Sequence, residues 1–324
     1  RRLGLRNARN FVHGFDRPNI AWHCHRTAVP LLAAVRLLER RDGRAIVYCR
    51  TRLGASRAAG VLQVFGLDAR PFHAGMRPDI RTELQNAFVE GRPRILCATS
   101  AFGMGVDVPS VRTVIHLGRP AGSNAYYQES GRAGRDGAAA LAVLFFRPDE
   151  PDPRDAAEQR NHVMRALFRK YPEGWTMRFL EQQVALLDSG QDSAAILAFL
   201  LHHGVCRLDA EGMRVIPTVA ARNLLEAAIR QDTAHRMAEH AWVTRYALDA
   251  GACRRRLLLG RFEDPAGLVC RGCDRCGSRF SGLMDSVLAQ AALEAGTIGK
   301  YLGIPWYERP PCGEEERLFA LQAV

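Results

Sequence analysis

The chain is expected to fold as an α/β lobe built on a parallel sheet, followed by a mostly helical region that carries an inserted helix-and-hairpin module and a four-cysteine subdomain. Three observations lead there. From Val29 to Pro148 short apolar runs of strand type alternate with helical patterns, as in a sheet covered on both faces. At PDEPDPRD, residues 148–155, a Pro- and Asp-rich stretch ends the alternation and reads as a linker. Cys253, Cys270, Cys273 and Cys276 then follow at the spacing of metal ligands. The expected segments are a lobe over 1–150, an insert over 151–218, a helical platform with the cysteines over 219–280, and a carboxyl-terminal tail of unknown role over 281–324.

Taken in order, residues 1–9 form a basic lead, and the opening Arg1 suggests a piece cut from something longer. FDRPNIAWHCH, residues 15–25, is a junction before the lobe proper. AIVYC (45–49) is a strand, a helix runs over about 52–65, and ARPFH (69–73) returns as a strand. A helix over about 78–90 precedes strands at RILCA (94–98), TVIHL (113–117) and LAVLFF (141–146). Cys49 and Cys97 are expected as buried core thiols.

Ligands of such sheets bind beyond the carboxyl ends of the strands. The residues at those ends are Arg50, Thr51 and Arg52 after the first strand, His73 and Gly75 after the next, and Thr99 and Ser100 after the third. His73 is equally readable as a satisfied loop histidine. YYQESGRAGRDG then sets Gln128, Glu129, Arg132 and Arg135 on a short helix and the turn after it, with the two guanidiniums on one side and glycines that admit a polyanion.

ATSAFGMGVDVPSVRTVIH together with YYQESGRAGRDG resembles the last two signature motifs of the RecQ-family DNA helicases, motors built from two RecA-like lobes. DEAD-box RNA helicases share the outline but carry His-Arg-x-Gly-x-Gly-Arg, and Gln128-Glu129 stands here instead. The resemblance implies that residues 1–150 are the second RecA-like lobe of an ATP-dependent 3′–5′ helicase. It further implies an arginine finger at Arg135, assisted by Arg132 and Gln128. Gly105 and Asp107 would face the nucleotide, with a cap of the following turn as the other reading of Asp107. The loops bearing Arg50, Thr51, Arg52, His73, Gly75, Thr99 and Ser100 would line a DNA groove. The phosphate-cradling G-x-x-x-x-G-K-[ST] motif does not occur in this sequence, so ATP and Mg²⁺ are expected on a first RecA-like lobe outside it.

The RecQ layout brings the cysteine helices almost directly after the lobe, whereas about a hundred residues precede Cys253 here. Helices over about 154–170 and from Thr176 to about 187 precede a third, capped by Asp192-Ser193 and stopped by Gly204. VCRL and MRVI around DAEG make a hairpin, and three helices with a hairpin make a small winged helix. Its apolar third helix and its acidic tip at Asp209 and Glu211 argue against duplex readout and strand splitting. From 220 to 250 helical periodicity resumes, with Leu224, Leu225, Ala228, Met237, Ala241 and Trp242 as expected core. Two residues between adjacent thiolates let both turn onto one ion, and four thiolates close a tetrahedral Zn²⁺ shell, a structural role. Arg254, Arg255, Arg256, Arg261, Arg271, Arg275 and Arg279 around it suggest a phosphate-contact surface. A helix around 285–295 closes the pattern.

Composition agrees with such partners. Lys and Arg number 45 against 34 Asp and Glu, a formal charge of +11, which favours a polyanionic partner such as nucleic acid, and the resemblance implies DNA, single-stranded and at junctions or duplexes. No run of about eighteen apolar residues suggests a membrane span. Nine cysteines, four of them clustered, suit a reducing compartment and so the cytoplasm, and the resemblance implies a nucleoid-associated protein of DNA repair or recombination. The competing expectations are a non-catalytic zinc-containing DNA-binding adaptor derived from a helicase, and an RNA helicase.

Overall fold

A computed structural model describes residues 14–100, 102, 108, 110–147, 149–150, 153–171, 173–176, 178–182, 193–209, 214–249, 251–263, 270 and 272–301. The chain divides into two compact units, Arg1–Glu150 with Trp242–Val324, and Pro151–Ala241. No helix among the described residues is long and apolar enough to cross a membrane.

The first unit is built on six strands: β1 (Ile20–Arg26), β2 (Arg44–Cys49), β3 (Ala69–Phe72), β4 (Ile95–Ala98), β5 (Val111–Leu117) and β6 (Ala140–Phe146). They pair in the order β1-β6-β5-β2-β4-β3, every pair parallel. Between them lie α1 (Pro30–Glu39), α2 (Arg52–Val64), α3 (Pro78–Glu90) and α4 (Ser123–Ser130). Alternation across each strand sends Ala45 and Val47 into one core layer and Ile46 and Tyr48 into the other. Thr51 starts α2 by accepting a 2.9 Å hydrogen bond from Gly54 N, and Gly91, at φ 116°, ends α3. Pro71 is tolerated in β3 because that strand is an edge, where one row of amides has no ladder partner.

Two elements of this unit differ from the sequence reading. FDRPNIAWHCH is not only a junction, because its second half is β1, with Ile20 to Cys24 buried. Its outer edge is covered by the cysteine segment: Asp274 N donates to Trp22 O (3.1 Å) and Cys24 N donates to Asp274 Oδ2 (3.4 Å). That cover lets an apolar edge strand stay out of water. Burial, then His25, lowers the His23 pKa to about 4. Helix α1, unassigned from sequence, is buried on most sides, because the sheet lies beneath it and α9 (Ser281–Tyr301) lies above. Met284, Val287, Ala291 and Ala295 of α9 join that core, and Arg36 pairs with Glu294 at 2.7 Å. The described part of the expected tail is thus integral to the lobe.

In the second unit α5 (Pro153–Lys170) leads to β7 (Trp175–Thr176), a helical stretch at 178–182, α6 (Ser193–His202), β8 (Cys206–Leu208), β9 (Arg214–Pro217) and α7 (Ala221–Leu248). The three strands form an antiparallel sheet in the order β7-β9-β8. Phe168, Trp175, Leu200, Val215 and Leu225 share its core. Thr176 Oγ1 accepts from Phe179 N at 3.2 Å, and Gly204, at φ 64°, follows α6. Asp192 and Glu211 lie outside the described residues. Helix α7 continues through the contact boundary at Ala241/Trp242, where the sequence reading placed a border near 218. Its buried face there is Ala221, Leu225, Ala228 and Ile229, while Leu224 and Ala241 are exposed, against the expected core.

Candidate nucleotide and nucleic-acid site

Helix α4 carries exposed Gln128 and half-buried Glu129, and stops at Ser130, whose hydroxyl donates to Tyr126 O. Arg132, half-buried, and Arg135, exposed, therefore stand on the turns after the helix and not together along one helical side as expected. Gly134 lies between them in the left-handed region. At φ 56° it bends the loop so that its amide donates to Val111 O at 2.8 Å, pinning the arginine loop to the amino end of β5. A Cβ there would lie 2.5 Å from Ala138 O and from Asn19 Nδ2. Gly134→Ala is expected to destabilise the chain by about 2 kcal/mol or more in thermal unfolding, since left-handed strain and a backbone clash add.

Under the arginines lies a shallow hollow lined by Ile46, Phe102, Val108, Val111, Arg132 and Arg135. Phe102 and Val108 are buried anchors of the loop from β4 to β5. Gly105 and Asp107, expected at the nucleotide, fall in the part of that loop outside the described residues. Tyr48 OH donates to Phe102 O at 3.1 Å, and burial raises its phenol pKa strongly although Arg132 opposes the shift. His116, given no site role from sequence, stacks on Tyr48 with centroids 5.2 Å apart, and its Nε2 lies 2.9 Å from Glu129 Oε2. The pair fixes the outer end of α4 to the sheet.

The loop is also held by two side chains that sequence reasoning passed over. Arg17 donates to the carbonyls of Gly131 (2.9 Å), Ala133 (3.0 Å) and Gly134 (3.0 Å). Asn19 Nδ2 donates to Gly134 O (2.7 Å) and Ala138 O (2.9 Å). The signal was present as polar residues around Pro18, but no local pattern says which carbonyls they meet.

At the carboxyl ends of the strands, the expected DNA contacts follow the neighbouring β2, β4 and β3. His73 Nε2 lies 3.1 Å from Ser56 Oγ, and a Cβ on Gly75 would be 3.3 Å from both Arg52 Cδ and His73 Nδ1. Arg52, His73 and Gly75 are thus in contact, and burial followed by the Arg52 charge lowers the His73 pKa. Thr99 N donates to Phe72 O at 3.2 Å, which joins Thr99 and exposed Ser100 to the same edge. Thr51 is exposed beside them as the α2 cap, whereas Arg50 lies toward Gly118 and Glu150. The structure therefore brings Arg52, His73 and Gly75 into contact and sets Thr51, Thr99 and Ser100 on the neighbouring strand ends.

Cys253, Cys270, Cys273 and Cys276 place all four sulfurs within 4.8 Å of one another. Cys253 precedes α8 (Arg254–Gly260), and the Cys253 and Cys273 sulfurs are 3.9 Å apart. Metal–sulfur bonds of 2.3 Å at tetrahedral angles require about 3.8 Å, so the four could hold a metal ion. Two of the arginines around them, Arg254 and Arg255, are taken into the fold. Arg254 is 0% exposed, with Nε 3.1 Å from Asp274 Oδ1 and its guanidinium donating to Tyr246 O. Arg255 is buried against Asp16, Arg261 donates to Ser123 Oγ (3.2 Å), and Arg275 lies 3.7 Å from Asp274. Arg271 lies outside the described residues, and Arg256 and Arg279 are exposed. Carboxylates and a carbonyl take Arg254 and Arg255, while Arg261 and Arg275 are exposed like Arg256 and Arg279.

Residues 29–137 match the family described as helicase conserved C-terminal domain. The ATP-dependent DNA helicase RecQ of Haemophilus influenzae is 39% identical over 149 residues, 46% of this chain and 24% of that protein. The probable ATP-dependent DNA helicase RecS of Bacillus subtilis is 28% identical over 293 residues, 86% of this chain and 56% of that protein. The chain thus spans between about a quarter and about half the length of these relatives. Among solved structures, the C-terminal domain of the DEAD-box protein Dbp5 is 25% identical over 41% of this chain and 79% of its own, with a TM-score of 0.37.

Proposed function

We propose that this chain, a relative of the RecQ-type DNA helicases that carries their carboxyl-terminal helicase lobe, is the second RecA-like lobe and zinc-binding part of an ATP-dependent 3′–5′ DNA helicase. The observation that carries the reading is the arginine loop, which presents Arg132 and Arg135 on turns held by Arg17 and Asn19. ATP and Mg²⁺ would sit mainly on a first lobe that supplies the phosphate loop. Arg135 would reach across the cleft to the transferring phosphoryl, where a planar fork of donors meets charge as it develops. Arg132 would hold the motif and assist, and Gln128 would orient phosphates or the attacking water. Gly105 and Asp107 would border the nucleotide.

Thr51, Arg52, His73, Gly75, Thr99 and Ser100, with Arg50 beside them, would track the backbone of single-stranded DNA, positioning it without reading bases. The β4–β5 connection leaves Thr99 at that edge and reaches the arginine hollow at Phe102 and Val108, a direct route for coupling DNA to nucleotide. Cys253, Cys270, Cys273 and Cys276 would hold structural Zn²⁺, and a closed thiolate shell leaves no position for catalysis. Residues 151–218, with three helical stretches and a three-stranded sheet, would be the winged-helix insert, and 219–280 the helical platform and zinc domain. A cytoplasmic, nucleoid-associated place in DNA repair or recombination goes with this reading.

The test is ATP turnover with and without single-stranded DNA, for this polypeptide alone and joined to a phosphate-loop lobe. The chain alone is expected to show no turnover, and the two-lobe protein a DNA-stimulated rate. DNA-stimulated hydrolysis by the chain alone would refute the division of the site between lobes.

A further inference from the structure

We propose that Arg17 and Asn19 are positioning residues for the arginine loop, and that residues 15–19 strap this loop to the cysteine subdomain. The proposal rests on the reading of Arg135 as the finger. Five hydrogen bonds from these two side chains end on only four loop carbonyls, those of Gly131, Ala133, Gly134 and Ala138. They bracket Arg132 and Arg135, whose own backbone groups are not used. One planar guanidinium satisfying three carbonyls fixes the loop in a way a lysine ammonium, a point charge on a flexible stem, does not reproduce.

The other side of the strap is held by the cysteine subdomain. Asp16, next to Arg17, pairs with Arg255, two residues after Cys253. The Phe15 ring stacks on Phe262 with centroids 5.2 Å apart and meets Tyr127 of α4 edge-on at 5.8 Å. Tyr127 OH also donates to Phe15 O. Four of these five consecutive residues therefore contact α8 and the segment after it on one side, or the finger helix and loop on the other. An arginine that must meet a phosphoryl group in another lobe gains from a fixed base, because displacement of a catalytic group by about 1 Å can cost about a hundredfold in rate.

The experiment compares Arg17→Ala, Arg17→Lys, Asn19→Ala and Arg135→Ala in the two-lobe protein, reading kcat, KM for ATP, affinity for single-stranded DNA and melting temperature. Arg17→Ala is expected to lower kcat by about ten- to a hundredfold. KM and DNA affinity should stay within about twofold, Asn19→Ala should show a smaller loss of the same kind, and Arg17→Lys an intermediate one. If Arg17→Ala does not fold, Asn19→Ala, which removes two of the five bonds, decides. Unchanged kcat in folded Arg17→Ala and Asn19→Ala, with Arg135→Ala inactive, would overturn this proposal alone. Equal losses in kcat and DNA affinity would also overturn it, since they mark a general structural defect. A fully active Arg135→Ala would overturn the finger reading and this proposal together.

Discussion

Arg135→Ala in the two-lobe protein is expected to lower DNA-stimulated ATP turnover by about a thousandfold or more, while folding, zinc content and DNA affinity stay close to wild type. The expectation follows from where the residue stands. Arg135 is exposed on a turn beyond α4, beside the hollow, and is not part of either core layer. Its loss therefore removes little packing. On the proposed reading, what it removes is a charge-assisted, forked donor that would meet charge developing only in the transition state, the kind of interaction that acts on kcat and not on ground-state binding. Arg132 should behave differently. It is half-buried, lines the same hollow and lies against Tyr48, so Arg132→Ala should lose both turnover and some stability.

The second large effect concerns the cysteines. Cys273 is 0% exposed, and the residue after it, Asp274, receives Arg254 and covers the outer edge of β1. Cys273→Ser is expected to lower bound zinc from one per chain to near zero and to destabilise the first unit by more than about 3 kcal/mol. The size comes from two sources. Without its fourth thiolate the segment around 270–276 has no apolar core of its own, and once that segment loosens, the buried Arg254 loses its carboxylate. Metal analysis with thermal unfolding checks the expectation. A soluble, zinc-free variant with an unchanged melting temperature would contradict a structural metal.

Much of the lobe is legible in the sequence because its strands and helices differ in period and are separated by turn residues. The helix expected over 78–90 is α3, opened by Pro78 and closed by Gly91, and AIVYC and LAVLFF lie within β2 and β6. β1 is harder to see, since IAWHCHR mixes histidines with apolar residues. Its character depends on Asp274, about 250 positions away, covering its free edge. Helix α9 shows its period but not its partner, so nothing local joins it to α1. The candidate site divides in the same way. Residue types and motif order mark Arg132, Arg135 and the four cysteines. The side chains that hold them, Arg17 and Asn19 at the arginine loop and Arg254 and Arg255 at the cysteines, act through carbonyls and carboxylates distant in sequence. Periodicity and charge count are blind to such contacts, so nothing in the sequence separates buried Arg254 and Arg255 from the exposed arginines around the cysteines.

The division of one active site between two lobes is tested most directly by binding. ADP alone and ADP with aluminium fluoride, a mimic of the transferring phosphoryl group, would be titrated into the two-lobe protein and its Arg135→Ala variant in the presence of single-stranded DNA. The expected result is a variant that binds ADP as the wild type does but loses about two powers of ten or more in affinity for the mimic. Equal affinity of the two proteins for the mimic would contradict the assignment of the finger to this chain.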